Sequence, residues 1–377
     1  MRIVHVIDSG GFYGAESMLT QLTKEQIVLG HSVLVFSIGT IGEVEKKIEH
    51  ALHLADVDVK RWRMSAIPTP TNVKEMLGFL NNLGCDVVHS HGYKGNILLG
   101  ALPKRCRNFA LISTLHGYTK HPLISKMTLY QFVDKLMLAR IDAVALVSEA
   151  MTATIRIIGN RHNVHVVPNG IEDINLEESV PNEPLSQNAG NDTLTIGALG
   201  RLSKEKNFSL LLRAMPDVLK RFPKAKLVIH GEGPQRSELN VLIKKLGLSS
   251  CVRILPYTSD VLGFLERIDV YVNCSTTEGM PISLLEAMRS RKLIVATDIP
   301  GNRALLGSVD QIGGLCALDK QSLSGSICKV WSASVDVHAE QMRLYRSEFL
   351  KQYTSRVMAK RYDELYKGAM INFENRS

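Results

Sequence analysis

RIVHVID (2–8), SGGFYGAES (9–17), MLTQLTKEQIVLG (18–30) and HSVLVFSIG (31–39) are the four consecutive stretches that decide the fold. The first is a short apolar run stopped by glycines. The third has helical periodicity closed by Gly30, and the fourth is a second apolar run, so together they read as strand, loop, helix, strand. The same unit recurs further along. CDVVHSHG (85–92) leads into YKGNILLGALP (93–103), FALISTLHG (109–117) into a polar segment and the helical LYQFVDKLMLARI (129–141), and DAVALVS (142–148) and NVHVVPNG (163–170) follow. Nearly all-apolar strands alternating with helices imply a parallel sheet covered on both faces, hence a doubly wound α/β domain.

Residues 173–192, DINLEESVPNEPLSQNAGND, lack an apolar period and read as an exposed linker. The pattern restarts at TLTIGALGRLS (193–203), with helices at 208–222, 237–247 and 281–290 and strands at 225–231, 251–255, 269–273 and 293–298. The expected organisation is a Rossmann-like domain over 1–172, the linker, a second Rossmann-like domain over 193–345, and a C-terminal helix over 346–377. In that helix Phe349, Tyr353, Val357 and Tyr362 form one apolar stripe suited to packing on the first domain.

A chain of 377 residues with 45% hydrophobic and 22% charged residues is long enough for two cores and is neither disordered nor fibrous in composition. No apolar run reaches the ~18 residues of a membrane span, and the first residues lack a signal-peptide succession, so a cytoplasmic protein is expected. Six cysteines without metal-like spacing read as free thiols. Nearly all of the +8 net charge lies after residue 180, which favours anionic ligands, but no basic run is interleaved with aromatics and no nucleic-acid partner is expected.

Four stretches could carry chemistry. Gly10, Gly11 and Gly14 lie between the first strand and helix, where backbone N–H groups and the helix dipole suit a phosphate. The second strand has no terminal carboxylate for a ribose, which argues against a nicotinamide cofactor. GRLSKEKN places Arg201 and Lys206 in the first loop of the second domain, two cations able to clamp a diphosphate. TTEGMPISLLEAM (276–288) carries Glu278 and Glu286 about two turns apart. Gly279 allows a tight turn there, Pro281 suits a first helical turn, and the N–H groups of Met280, Ile282 and Ser283 can face an anion. Of twelve histidines ten precede residue 181, and His91 and His116 follow sheet strands, where a crevice residue belongs. Asp56 and Asp58 look superficially like a divalent-metal motif, but they alternate with apolar residues and have no further ligand nearby, so no metal is expected.

GGFYGAE, STLHGY, VVPNGIE, GRLSKEKN, GEGP, TTEGMPISLLEAM and VATDIPGNR together resemble, in order and spacing, the retaining glycosyltransferases of family four, with the GT-B fold of two Rossmann-like domains facing across a cleft. EGMPISLLEA stands where the family's commoner form is EGFGLPLLEA. The resemblance implies a nucleotide-diphosphate sugar as donor, with a UDP-sugar favoured, and a glycan or lipid-linked acceptor in cell-surface polysaccharide or lipopolysaccharide synthesis. It implies reaction without a metal or other cofactor, and peripheral association with the inner face of the cytoplasmic membrane. It puts Arg201 and Lys206 on the diphosphate, Glu286 on the ribose, and Glu278, Gly279 and Met280 near the transferred sugar. His116 contacts that sugar, Gly11 and Gly14 approach the phosphates, and Gly10 and His91 fall on the acceptor side. A catalytically silent sugar-nucleotide or polysaccharide-binding protein, or a sugar-nucleotide epimerase, are the other readings of the same scaffold.

Overall fold

A computed structural model describes residues 1–65, 69–101, 103–117, 126–152, 163–174 and 193–375. The chain forms two compact units, residues 1–172 with 354–377, and residues 173–353. Most of the expected linker, residues 175–192, lies outside the described residues, as do Tyr118 of the STLHGY motif and the polar segment that follows it.

The first unit is built on β1 (Arg2–Ile7), β2 (Ser32–Thr40), β3 (Asp58–Met64), β4 (Val87–His91), β5 (Ala110–Leu115), β6 (Ala143–Leu146) and β7 (Val164–Val166). They lie in the order β3-β2-β1-β4-β5-β6-β7, every neighbouring pair parallel. The central strands are buried along their whole length or nearly so, which is why they read as apolar runs rather than alternating ones. The second unit repeats the plan with β8 (Thr195–Leu199), β9 (Lys226–His230), β10 (Val252–Leu255), β11 (Val270–Asn273), β12 (Leu293–Thr297) and β13 (Leu315–Cys316), ordered β10-β9-β8-β11-β12-β13 and again parallel. In each sheet the strand order reverses once, between β1 and β4 and between β8 and β11. At such a point the loops at the strands' carboxyl ends diverge and leave a crevice for a ligand.

Two expectations are corrected. The expected C-terminal helix over 346–377 is two helices, Val335–Gln352 and Ser355–Glu374, and the boundary between units falls at their break. The break is a capping event: Thr354 accepts from the Val357 N–H at 3.3 Å, and the neighbouring Ser355 N–H donates to Ile171 O at 2.8 Å. Phe349 and Tyr353 thus pack in the second unit while Val357 and Tyr362 pack in the first, with helix Ser355–Glu374 against helix Gly14–Val28 and β5. The second correction is Pro281, which is the cap residue before helix Ile282–Arg289 and not part of its first turn; its ψ of 116° is extended. Asp56, at a left-handed φ of 53°, and Asp58, the first residue of β3, form a turn and a strand start.

Candidate functional site

In the second unit three loops converge at the switch point. Gly200, at the end of β8, has φ 151°, which favours glycine, and the Lys206 side chain lies over it. The GEGP turn packs directly on this loop. Leu202 N–H donates to Glu232 O at 2.8 Å and Gln235 N–H to Leu202 O at 3.0 Å, and a Cβ on Gly231 would overlap Gly200 O. The loop after β11 is strapped to the first by Thr276 N–H donating to Glu205 O at 2.8 Å. The third loop follows β12. Thr297 Oγ1 donates to Ser275 O at 2.6 Å, Asn302 Nδ2 donates to Thr297 O at 2.8 Å, and a Cβ on Gly301 would come within 2.5 Å of Glu278 O. Glycine at 301 is required by this approach of one backbone to another.

These straps bring together two of the residues singled out in the sequence. Lys206 Nζ donates to Glu278 Oε1 at 2.5 Å, and Ser275 Oγ donates to the same oxygen at 2.7 Å. The resemblance puts the two side chains on different parts of a ligand. Here the ammonium is held by the carboxylate, and both are mostly buried. Arg201, on the same loop as Lys206, is exposed. In helix Ile282–Arg289 the first N–H to enter the ladder is that of Leu284, to Pro281 O at 3.1 Å, so the Ile282 and Ser283 N–H groups precede the intrahelical bonds. Gly279 and Met280 form the turn before it, with the Met280 side chain buried. Burial pushes the Glu286 carboxyl up to about 7, with Arg289 opposing the shift. The Tyr271 hydroxyl, raised chiefly by burial, is raised further by the charges of Glu286 and Glu278.

In the first unit, the glycine loop leads into helix Gly14–Val28. The third residue of that helix, Glu16, accepts from the Tyr13 N–H at 2.9 Å and from Ser9 Oγ at 2.8 Å, so a carboxylate of the chain itself caps this helix. The Tyr13 ring covers Gly11, leaving no room for a Cβ, whereas Gly10 has open space around it. A cavity of about 180 Å³ lies beside the loop, with Asp8, Glu16, His91, Tyr93 and His116 among its walls. Asp8 is held ionised by Lys46 and Lys94, at 2.7 and 3.1 Å, against the effect of its burial.

Behind the cavity lies a row of imidazoles. His116 Nε2 is 3.3 Å from His91 Nδ1, His91 Nε2 is 3.0 Å from His5 Nδ1, and His5 Nε2 is 2.7 Å from Gln26 Oε1. Gln26 Nε2 donates to the Tyr366 hydroxyl at 3.1 Å, which lies 2.7 Å from His89 Nδ1, and His89 Nε2 is 2.7 Å from Thr114 Oγ1. The strand register builds this cluster, because β1 and β4 pair His5 with His89, and His89 and His91, two apart on β4, share a face. Burial pushes His5 and His116 down to about 4 and His89 and His91 well below their ordinary value, so all four rings are neutral near pH 7. Ring nitrogens of His5, His89 and His91 lie within 4.8 Å of one another, which is metal-ligand spacing. Both nitrogens of each of these rings are within hydrogen-bond distance of a partner.

Sequence reasoning singled out His91 and His116 but missed His5, Gln26, Tyr366 and the Glu278 partner Ser275. The signal for the first was a polar residue inside the apolar run RIVHVID, matched by the H-S-H of β4. Nothing local marked Gln26 or Tyr366.

Comparison with known proteins bears on both units. Residues 12–173 match the family model described as Glycosyltransferase Family 4, and residues 181–329 the one described as Glycosyl transferases group 1. An alpha-monoglucosyldiacylglycerol synthase of Streptococcus pneumoniae is 23% identical over 97% of this chain and 83% of its own length. An uncharacterised glycosyltransferase of Methanocaldococcus jannaschii is 30% identical over 37% of this chain, and the match spans only about a third of that protein, 34%. Among solved structures, Anabaena HepE in complex with UDP superposes with a TM-score of 0.80 at 19% identity, covering 97% of this chain and 100% of that one. The two family models, end to end over two parallel-sheet units of this topology, place the chain among the family-four glycosyltransferases with the GT-B fold.

Proposed function

We propose that the chain moves a sugar from a UDP-sugar to a glycan or lipid-linked acceptor, with retention at the anomeric carbon and without a metal ion. The observation that carries this reading is the cluster at the β8/β11 switch point: Lys206, on the loop that also carries Arg201, bonded to Glu278 on the next loop, which leads directly into helix Ile282–Arg289. Arg201, Lys206 and the Ile282 and Ser283 N–H groups bind the diphosphate, and Glu286 accepts from the ribose hydroxyls. Glu278, with the Gly279 and Met280 backbone, meets the transferred sugar. As the bond from the anomeric carbon to the diphosphate oxygen breaks, negative charge grows on the leaving phosphate, where these fixed donors neutralise it. The acceptor hydroxyl oxygen bonds the anomeric carbon on the same face, and its proton passes to the leaving phosphate oxygen. His116 orients a sugar hydroxyl in the first unit's cavity.

HepE, a structural neighbour, was solved with UDP and with UDP-glucose, which supports uridine as the base. The lipid named in the S. pneumoniae relative supports a membrane-borne acceptor reached by peripheral association, and among the described residues no helix is long and apolar enough to cross a membrane. A cytoplasmic location and a role in surface-polysaccharide synthesis belong to the same proposal.

Binding measured by thermal shift with UDP, GDP, ADP, CMP and NAD, each with and without magnesium, tests it. The expected result is a shift with UDP that needs no magnesium and is lost in Arg201→Ala. Because Glu286 titrates at about 7, UDP affinity is expected to rise about tenfold from pH 6 to pH 8 as the carboxylate ionises, a rise absent from Glu286→Gln. A preference for NAD, or a flat panel, would refute the donor assignment. UDP binding with no transfer to any acceptor extract would point to a silent binding protein, and conversion of the donor without an acceptor to an epimerase.

A further inference from the structure

The geometry points to Gln26, His5 and His91 as positioning residues that fix the proton of His116 on Nε2, so that its Nδ1 lone pair accepts a hydrogen bond from a sugar hydroxyl. This rests on the proposed role of His116 in contact with a sugar.

The direction of the row follows from which atoms can donate. Gln26 Oε1 can only accept, so the proton on His5 sits on Nε2 and the neutral ring offers Nδ1 as an acceptor. The ring nitrogen facing it, His91 Nε2, must then carry a proton, which leaves His91 Nδ1 as an acceptor. His116 Nε2, facing that nitrogen, must carry a proton in turn. Its remaining nitrogen, Nδ1, has no partner among the described residues and belongs to a side chain that walls the cavity.

The other half of the amide runs the same way. Gln26 Nε2 donates to Tyr366 Oη, so that hydroxyl is free to donate to His89 Nδ1, and His89 Nε2–H donates to Thr114 Oγ1. Reversing the Gln26 amide would reverse every bond in the row and put the His116 proton on Nδ1. Each ring is forced by its neighbour, so the amide orientation of one residue on helix Gly14–Val28 sets the hydrogen-bonding character of the cavity. Tyr366 gives the C-terminal helix Ser355–Glu374 a hand in this, because its hydroxyl receives the amide's other end. The charged groups at the cavity end are already engaged, Asp8 by Lys46 and Lys94 and Glu16 by Ser9 and the Tyr13 N–H, and none is within hydrogen-bond distance of the imidazole row.

Long-range proton–nitrogen NMR on full-length protein labelled with ¹⁵N-histidine, at about pH 7.5, reads the tautomer of each ring. The expected result is Nε2–H for His5, His89, His91 and His116 together. An Nδ1–H tautomer at His5, His91 or His116 in the wild type would overturn the proposal, as would stoichiometric zinc held by His5, His89 and His91. In Gln26→Met, which removes both the acceptor and the donor, His116 is expected to become a mixture of tautomers, with kcat/KM for transfer down about 10-fold or more. Gln26→Glu, which keeps an acceptor for His5, restores the single tautomer at His116 and most of the rate. A pure Nε2–H at His116 in Gln26→Met would show that Gln26 does not set the direction. The tautomers are read without any substrate, so they stand or fall independently of whether transferase activity is found.

Discussion

Lys206→Ala is expected to lower kcat/KM for sugar transfer by about 10²–10³, the usual cost of removing one fixed donor from a site where charge develops in the transition state. The ammonium is preorganised for that task. Its stem lies over Gly200, and its head is held at 2.5 Å by Glu278, itself fixed through Ser275. A bound diphosphate brings negative charge to this loop, and Lys206 can bridge it to Glu278 without moving far. The loss should fall on kcat more than on the folded state, because Ser275 Oγ still bonds the Glu278 carboxylate when the ammonium is gone. Initial rates over a range of UDP-sugar concentration, with thermal melts of the same preparations, check both halves. A variant whose kcat/KM stayed within about 3-fold of wild type would remove Lys206 from the transition state. Glu278→Gln separates the two roles of the pair: the ammonium keeps a neutral partner, so diphosphate binding survives while contact with the transferred sugar weakens.

Both sheets were legible in the sequence because doubly wound strands are buried on two faces and announce themselves as apolar runs. RIVHVID, TLTIGALG and LIVATD needed no partner to be recognised. Lys206 and Glu278, which the structure brings together, each stand out as a charged residue in a loop just after such a run. That they bond to each other was not legible, because 72 residues separate them and the contact depends on the β8–β11 pairing. The same holds for the imidazole row. His5 and His89 sit in strands that read as core, and only the register of β1 on β4 sets them opposite each other. Gln26 is one polar residue in an amphipathic helix, and Tyr366 lies 340 residues away. The break at Thr354 did carry a local signal, a threonine and serine at a helix start, but the continuous apolar stripe from Phe349 to Tyr362 outweighed it. Periodicity reports which face is buried and is silent on which unit buries it.

The buried histidines make the first unit acid-sensitive in a window set by their shifts. Each has a folded-state pKa below the 6.5 of the unfolded chain, so the unfolded state binds the proton first. The stabilisation is complete above about pH 6.5 and is lost as pH falls toward the folded values, about 4 for His5 and His116. Each ring that stays neutral costs roughly 1.4 kcal/mol per pH unit in that window. All four act in the same direction, so the first unit loses stability as pH falls from about 6 toward the folded values. Asp8, held low by Lys46 and Lys94, and Glu49, held low by the Ser37 hydroxyl and Arg63, each against burial, act in the same direction but only below their unfolded values of 3.8 and 4.5, and so do not account for a loss at pH 5.5. In the second unit Glu286 has the opposite sign. Its folded pKa of about 7 exceeds the unfolded 4.5, so its contribution is complete below 4.5 and lost as pH rises through 7, and mild acid stabilises that unit. The two tryptophans separate the effects, since Trp62 packs against Phe36 and Phe79 in the first unit and Trp331 stacks on His338 in the second. Urea unfolding followed by fluorescence in Trp331→Phe, where only Trp62 reports, is expected to show a midpoint falling steeply from pH 7 to pH 5. Trp62→Phe should show the second unit's midpoint steady or rising over the same range. A Trp62 midpoint that stayed level would mean that the four rings are protonated in the folded chain as readily as in the unfolded one, and the neutral row that fixes the His116 tautomer would fall with it.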